Sequence, residues 1–167
     1  MELTQPRIEN AAKNTEVLLS MLEHKKIKYT VEERTDARSH VCIHFTGNDL
    51  PLTLHILIRA DKQIVSVYSV LPFNMDESRR SDAAYAVTAA NHGLIDGSFD
   101  LNLQTGEIRF RLTSCFIGTV LTEELFSYLM FVSAQTVDRY NDRFEALNSG
   151  KMDLDGFLQA DAADERR

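Results

Sequence analysis

The sequence has few of the residues on which several classes of protein depend. It contains two cysteines in 167 residues, Cys42 and Cys115, and they are far apart with no CxxC spacing. A disulfide scaffold is therefore not expected, and both cysteines are predicted to be reduced thiols. No run approaches the about 18 apolar residues of a membrane span, and the opening residues Met-Glu-Leu-Thr-Gln-Pro lack a signal-peptide pattern. We therefore expect a cytoplasmic protein that does not bind a membrane.

Basic residues and catalytic motifs are also scarce. Lysine and arginine together number 18 against 25 acidic residues, which gives a formal net charge of −7. Such an acidic chain lacks the electrostatic footprint of a nucleic-acid binder, so no nucleic-acid partner is expected. The sequence contains no GxSxG, HExxH, Walker or GxGxxG motif, and scattered Ser, His and Asp residues are not evidence for catalysis. We predict a protein that is not an enzyme and holds no cofactor.

The patterns that are present are typical of an α+β protein. Helical periodicity and strand-like alternation predict helices over 9–26, 76–92 and 122–148 and strands over 29–33, 41–45, 52–58, 64–71, 99–103 and 108–112. Short turns join the strands, so we expect an antiparallel sheet flanked by helices, in the order α-β-β-β(-β)-α-β-β-α. Residues 1–150 are predicted to form a single domain. Residues 151–167 are predicted to be an acidic tail, either a short appendage or disordered.

The predicted helix over 122–148 has large apolar residues on more than one side. At 100° per residue, Phe131 and Tyr128 lie at about 240° and 300° from Leu125. The residues within about 100° of Leu125 form the predicted core stripe, with Phe126 at its edge: Leu129, Val132, Tyr140, Phe144 and Leu147. Because one sheet covers one side of a helix, we predict that Tyr128 and Phe131 lie in an interface with a second copy or a partner protein. The alternatives are that another helix of the same chain covers them, or that they are isolated exposed aromatics.

A second candidate site lies on one face of two predicted strands. His40, Cys42 and His44 share the face opposite the apolar Val41, Ile43 and Phe45, and His55 falls on the same face of the next strand. Any register that keeps the apolar sets together places His55 across from His40 or Cys42. Imidazole and thiolate are good zinc ligands, but His40 and His44 are too far apart to share an ion with Cys42. The simpler interpretation is a polar sheet face with ordinary histidines and no metal.

Two weaker patterns involve charged residues. Arg79 and Arg80 stand at the start of a predicted helix, where they could bind an acidic partner segment or simply form a solvated face. Asp153, Asp155 and Gly156 resemble the beginning of a calcium loop, but the third acid before Gly156 and the later Glu are missing, which favours a polar tail.

A block of motifs resembles the YbjN-like family of bacterial sensory-transduction regulators. These motifs are Val70-Leu-Pro-Phe73, Arg79-Arg80, Ala89-Ala-Asn91-His-Gly-Leu94, Gly97-Ser-Phe99-Asp-Leu101, Gly106-Glu-Ile108-Arg-Phe-Arg-Leu112, Leu121-Thr-Glu-Glu-Leu125 and Val137-Asp-Arg-Tyr140. The resemblance spans about residues 8–150 and implies a fold similar to that of type III secretion chaperones, which are usually dimeric. It carries over no catalytic residue.

The motif residues Asn91, Gly93, Gly97 and Phe99 are interpreted as determinants of the fold. We expect Gly93 to end a helix in the left-handed conformation, Asn91 to satisfy nearby backbone groups and Phe99 to anchor a hairpin in the core. The leading functional interpretation is a regulatory or chaperone-like adaptor that binds another protein and acts as a homodimer. The alternative is a sensor that binds a metal or small ligand on the histidine-bearing face.

Overall fold

The computed structural model describes residues 3–46 and 51–164. Its elements are α1 (Gln5–His24), β1 (Thr30–Arg34), β2 (Arg38–Thr46), β3 (Pro51–Arg59), β4 (Ile64–Asn74), a short 3-10 helix (Glu77–Arg79), α2 (Arg80–Gly93), β5 (Ser98–Leu101), β6 (Glu107–Cys115), α3 (Glu123–Asn148) and α4 (Leu154–Asp164). The six strands form one antiparallel sheet in the order β1-β2-β3-β4-β6-β5. The predicted α+β class is confirmed, and the optional fourth strand before α2 is present.

The sheet buries one face more completely than the other. In β3, Leu52, Leu54, Ile56 and Ile58 are all buried, whereas the residues between them are partly exposed. Helices α1 and α3 pack against the buried face of β3. A strand that alternates in this way is covered by helices on its apolar face and meets solvent on the other. Among the described residues, no helix is long and apolar enough to cross a membrane.

Helix α3 begins as predicted, and its buried side overlaps most of the predicted core stripe. Thr122 caps it, because its Oγ1 accepts a hydrogen bond from the Leu125 backbone N–H at 3.2 Å. Leu129, Tyr140, Phe144 and Leu147 are buried as predicted, whereas Leu125 and Val132 are only half-buried. The buried side also includes Met130 and Val137, so its centre is shifted from Leu125 toward Phe126.

The end of α2 differs from the prediction. Gly93 is still helical, and the chain leaves the helix through Leu94 in an extended conformation rather than a left-handed glycine. The positive φ occurs at Gly97 instead, at 79°, where an added Cβ would stand 2.4 Å from the Phe110 ring. The turn is held by Asn91, whose side chain donates to the Phe99 carbonyl at 3.0 Å and accepts from the Phe99 N–H at 2.7 Å.

Residues 154–164, part of the segment predicted to be a short appendage or disordered, form helix α4. Phe157 is fully buried, and the Tyr140 hydroxyl donates a hydrogen bond to Asp161 at 2.6 Å. One buried aromatic and one buried acid give no local apolar period, so the sequence carried little signal for this helix. Asp153 caps its start by accepting from the Gly156 N–H at 2.8 Å, which accounts for the Asp-x-x-Gly pattern. Residues 165–167 lie outside the described residues.

We predict that Phe157→Ala lowers the free energy of unfolding by about 3–5 kcal/mol, because it empties a fully buried aromatic site. The control is Leu158→Ala, one residue further on α4, which is 37% exposed and should cost less than about 1 kcal/mol. Urea denaturation followed by circular dichroism measures both. Equal effects of the two substitutions would mean that α4 does not pack on α3 as described.

Candidate functional site

A groove opens between the C-terminal end of α1, the β2–β3 hairpin and the N-terminal half of α3. It has a volume of about 630 Å³, and we call it the α1–α3 groove. Its lining is mostly apolar and comprises Met21, Lys25, Ile27, Ile43, Phe45, Leu54, Glu124, Ser127, Tyr128, Met130, Phe131 and Ala134.

Both aromatic residues predicted to lie in an interface line this groove. Tyr128 is 47% exposed and Phe131 is 60% exposed, so no other helix of the described chain covers them. The Tyr128 hydroxyl donates a hydrogen bond to the Asp96 carboxylate, and this bond raises the pKa of Tyr128. The Tyr128 ring is therefore held in place by Asp96, whereas the Phe131 ring is exposed to solvent.

The floor of the groove comes from residues that the sequence assigned to the core. Ile43 and Leu54 are cross-strand neighbours in the β2–β3 pair, and both are buried beneath the groove. On α3, Ser127 and Ala134 are too small to fill the space above them. No local pattern identifies such a gap, because it depends on how far apart α1 and α3 lie. The apolar run around Tyr128 was the one signal in the sequence that pointed to it.

The second candidate site forms on the opposite face of the same two strands. The β2–β3 register pairs Cys42 with His55, which is one of the two predicted positions. The His40 Nε2 atom lies 3.0 Å from His55 Nδ1, and the Cys42 Sγ atom lies 3.3 Å from His40 Nε2 and 3.2 Å from His55 Nδ1. We call these three residues the His–Cys triad.

His44 does not join the triad. Its Nδ1 atom is 3.0 Å from the Thr53 hydroxyl, with which it forms a separate cross-strand hydrogen bond. Of the four predicted metal-ligand candidates, three are therefore in mutual contact, and His44 is not. This outcome agrees with the limit that strand spacing placed on a shared ion.

The surroundings of the triad favour its uncharged forms. Cys42 is buried, and burial raises the pKa of its thiol, with a further contribution from the charge of Glu32. Burial lowers the pKa of His55, and the nearby His40 lowers it further. The His55 ring stacks on Tyr68 with centroids 4.7 Å apart, which fixes the ring plane. Cys42 and Cys115 are both free thiols, and Cys115 is exposed.

The paired arginines at the start of α2 are engaged in local contacts. The Arg80 guanidinium donates to the backbone carbonyls of Gln104 at 2.9 Å and Met75 at 3.3 Å. Arg79 lies 3.8 Å from the Asp82 carboxylate. Arg80 thus ties the start of α2 to Met75 and to the β5–β6 turn, and the geometry favours this structural role over an anion site.

The lowered pKa of His55 predicts a pH dependence of stability. Between the unfolded-state value near 6.5 and the lower folded value, the unfolded chain binds more protons, so stability falls as the pH drops through this window. We expect an NMR titration in EDTA to place the His55 midpoint below 6.5. His55→Gln should weaken the acid-induced loss of stability, whereas His44→Gln should not. A His55 midpoint at or above 6.5 would contradict the described burial.

The chain has the fold of two solved proteins of low sequence identity. One is YbjN from E. coli, described as "a putative transcription regulator", with a TM-score of 0.57, 13% identity, and coverage of 79% of this chain and 90% of that one. The other is an uncharacterized protein from Methanothermobacter thermautotrophicus, with a TM-score of 0.56, 12% identity, and coverage of 84% of this chain and 99% of that one. No curated protein matches the chain in sequence.

The sequence itself matches a family model over residues 14–146, which span both the α1–α3 groove and the His–Cys triad. The family is described as "Putative bacterial sensory transduction regulator". The match runs from the middle of α1 to nearly the end of α3 and agrees with the resemblance seen in the sequence motifs. The chain therefore belongs to the YbjN family.

Proposed function

We propose that this protein is a non-enzymatic regulatory adaptor of the cytoplasm that binds an apolar helical segment of a partner protein in the α1–α3 groove. The observation that carries the proposal is the placement of two exposed aromatic rings, Tyr128 and Phe131, on the wall of a groove with an apolar floor. Buried aromatic anchors dominate the binding energy of protein interfaces. The family description of a sensory transduction regulator is consistent with this function.

The size of the groove favours a segment over a whole folded surface. Twelve residues line it, whereas a standard interface between folded proteins uses about 20–30 residues on each side. The groove is also concave and bounded by helices on two sides. An amphipathic helix that inserts residues at positions i, i+3 or i+4 and i+7 is the occupant that such a groove fits.

The charged residues at the rim of the groove indicate which charges the partner helix would carry. Lys25 stands on the α1 side and Glu124 on the α3 side, and both are exposed. A partner helix would therefore carry an acidic residue toward Lys25 and a basic residue toward Glu124. Such rim charges set orientation and association rate more than affinity.

The polar groups of the groove favour binding over catalysis. The Ser127 hydroxyl donates to the Glu123 carbonyl at 2.8 Å, and the Tyr128 hydroxyl is held by Asp96. Both hydroxyls are thus committed to partners within the fold. A binding groove needs few polar groups, whereas a nucleophile needs an adjacent base within reach.

The proposal includes self-association into a homodimer, as the resemblance to secretion chaperones implies. In this proposal the groove holds the partner segment, so the two copies associate through another surface. Native mass spectrometry of the gently purified protein should show twice the chain mass. If Phe131→Asp converts this dimer to a monomer, the groove is occupied by a second copy and the partner-segment assignment is wrong.

We predict that Phe131→Asp weakens the binding of helical peptides at least tenfold, because it removes an aromatic anchor and places a charge in an apolar groove. The probe is a phage-displayed library of helical peptides selected against the wild-type protein, with affinities measured by calorimetry. We expect selected peptides to share apolar residues at i, i+4 and i+7.

The matched control for this substitution is Ile117→Asp. Ile117 is 68% exposed and does not line the groove, so its replacement by aspartate should leave peptide affinity unchanged. Circular dichroism establishes that both variants are folded. Peptides that bind Phe131→Asp as tightly as wild type, or a selection without the apolar spacing, would refute the proposed function.

A further inference from the structure

The structure brings three metal-ligating atoms to one point on the sheet face opposite the α1–α3 groove. These are His40 Nε2, Cys42 Sγ and His55 Nδ1, which lie within 4.8 Å of one another. They come from adjacent positions in the β2–β3 ladder, so rigid backbone hydrogen bonding rather than a loop sets their spacing. From this geometry we propose that the His–Cys triad is a zinc-binding site with three protein ligands and an open fourth position.

The spacing of the three atoms is close to that of a zinc coordination sphere. Zinc–nitrogen bonds of about 2.0–2.1 Å and zinc–sulfur bonds of about 2.3 Å imply tetrahedral spacings of about 3.3 Å between nitrogens and about 3.6 Å between nitrogen and sulfur. The described separations are 3.0 Å between the nitrogens and 3.2 and 3.3 Å between each nitrogen and the sulfur. Outward movements of a few tenths of an ångström would therefore seat the ion.

Hydrogen bonding alone accounts poorly for this triangle of contacts. Each imidazole nitrogen carries either one hydrogen or one in-plane lone pair, so a bond from His40 to His55 uses both groups completely. The Cys42 sulfur, which is also within contact distance of both nitrogens, then has only shared or bent bonds. A single cation placed between the three atoms would accept one lone pair from each, and the Cys42 thiol would release its proton to solvent on binding.

The identity of the ligands selects the class of ion. Two imidazoles and one thiolate form a borderline-soft set that suits zinc and excludes calcium and magnesium, which take oxygen ligands. The acidic chain and the charge of Glu32, which acts on both Cys42 and His55, also favour a cation at this place. Stacking on Tyr68 holds the His55 ring in a fixed plane, as outer groups do for metal-bound histidines.

Three protein ligands leave a position for water or for an incoming group. Cys42 is 3% exposed, whereas His40 and His55 are partly exposed, so the open position faces the solvent side of the sheet. The site is independent of the proposed partner groove, because its ligands point away from Ile43 and Leu54 in the same strands. Failure of one proposal therefore leaves the other standing.

The test is titration of the metal-free, reduced protein with Zn²⁺ by calorimetry and with Co²⁺ by absorption spectroscopy. We expect one ion per chain and a sulfur-to-cobalt charge-transfer band. Cys42→Ser should abolish that band, and His55→Gln should weaken Zn²⁺ affinity at least tenfold. His40→Gln should behave like His55→Gln.

Two matched controls sit in the same molecule. His44→Gln changes a histidine on the same strand face that bonds to Thr53, and Cys115→Ser removes the exposed thiol. Both should bind one ion with unchanged affinity and an intact charge-transfer band. In addition, Zn²⁺ should raise the melting temperature of the wild type and of both controls but not that of Cys42→Ser.

Three results would overturn the proposal. The first is stoichiometric Zn²⁺ binding that His40→Gln and His55→Gln leave unchanged. The second is a charge-transfer band lost with Cys115→Ser rather than Cys42→Ser. The third is the absence of stoichiometric binding to a folded wild-type protein. Because Cys42 is buried and its replacement could disturb folding, the two histidine variants carry the test on their own if Cys42→Ser fails to fold.

Discussion

The antiparallel pairing of β2 with β3 determines both candidate sites of this protein. In this register Ile43 lies opposite Leu54 and Cys42 lies opposite His55. Because side chains alternate across a sheet, the first pair contributes to the floor of the α1–α3 groove, and the second pair forms the His–Cys triad together with His40. A slip of one residue would turn β3 over relative to β2, so that its apolar side chains would face solvent and His55 would lie under the helices. The burial of the apolar set therefore also holds the triad in place.

Helix α3 decides which part of the covered face stays open. Its C-terminal half packs into an aromatic cluster, where the Phe144 ring centroid lies 5.3 Å from that of Phe99 and 5.2 Å from that of Phe157. Its N-terminal half presents Tyr128 and Phe131 outward over small residues and leaves the groove. The C-terminal half of α3 thus stabilises the core, and its N-terminal half provides a surface with exposed aromatic side chains.

The two proposals use opposite faces of one sheet, and the family description supplies a setting for both. A sensory transduction regulator needs a surface that a partner recognises, and the groove offers one. The proposed zinc site on the opposite face would let such a regulator respond to a chemical signal. Strands β2 and β3 carry both sets of residues, one set on each face of the sheet.

The sequence by itself determined the class of fold and which side chains share a face of a strand or of a helix. Period-two alternation placed His40, Cys42 and His55 on one face, and the apolar run on the last long helix singled out Tyr128 and Phe131. These patterns are local, because they follow from the repeat of a strand or a helix. The same patterns predicted the order of the helices and strands up to the end of α3.

Only the tertiary structure decided the features that depend on distance between elements. The register places Cys42 rather than His40 directly across from His55, and it places His44 across from Thr53, with which it forms a hydrogen bond. Helix α4 packs against both α2 and α3, and its contacts with α3 through Phe157 and Asp161 leave no period in the sequence. The groove likewise exists because α1 and α3 stand apart above the sheet. Such spacing results from the packing of the whole domain, so no local pattern of residues encodes it.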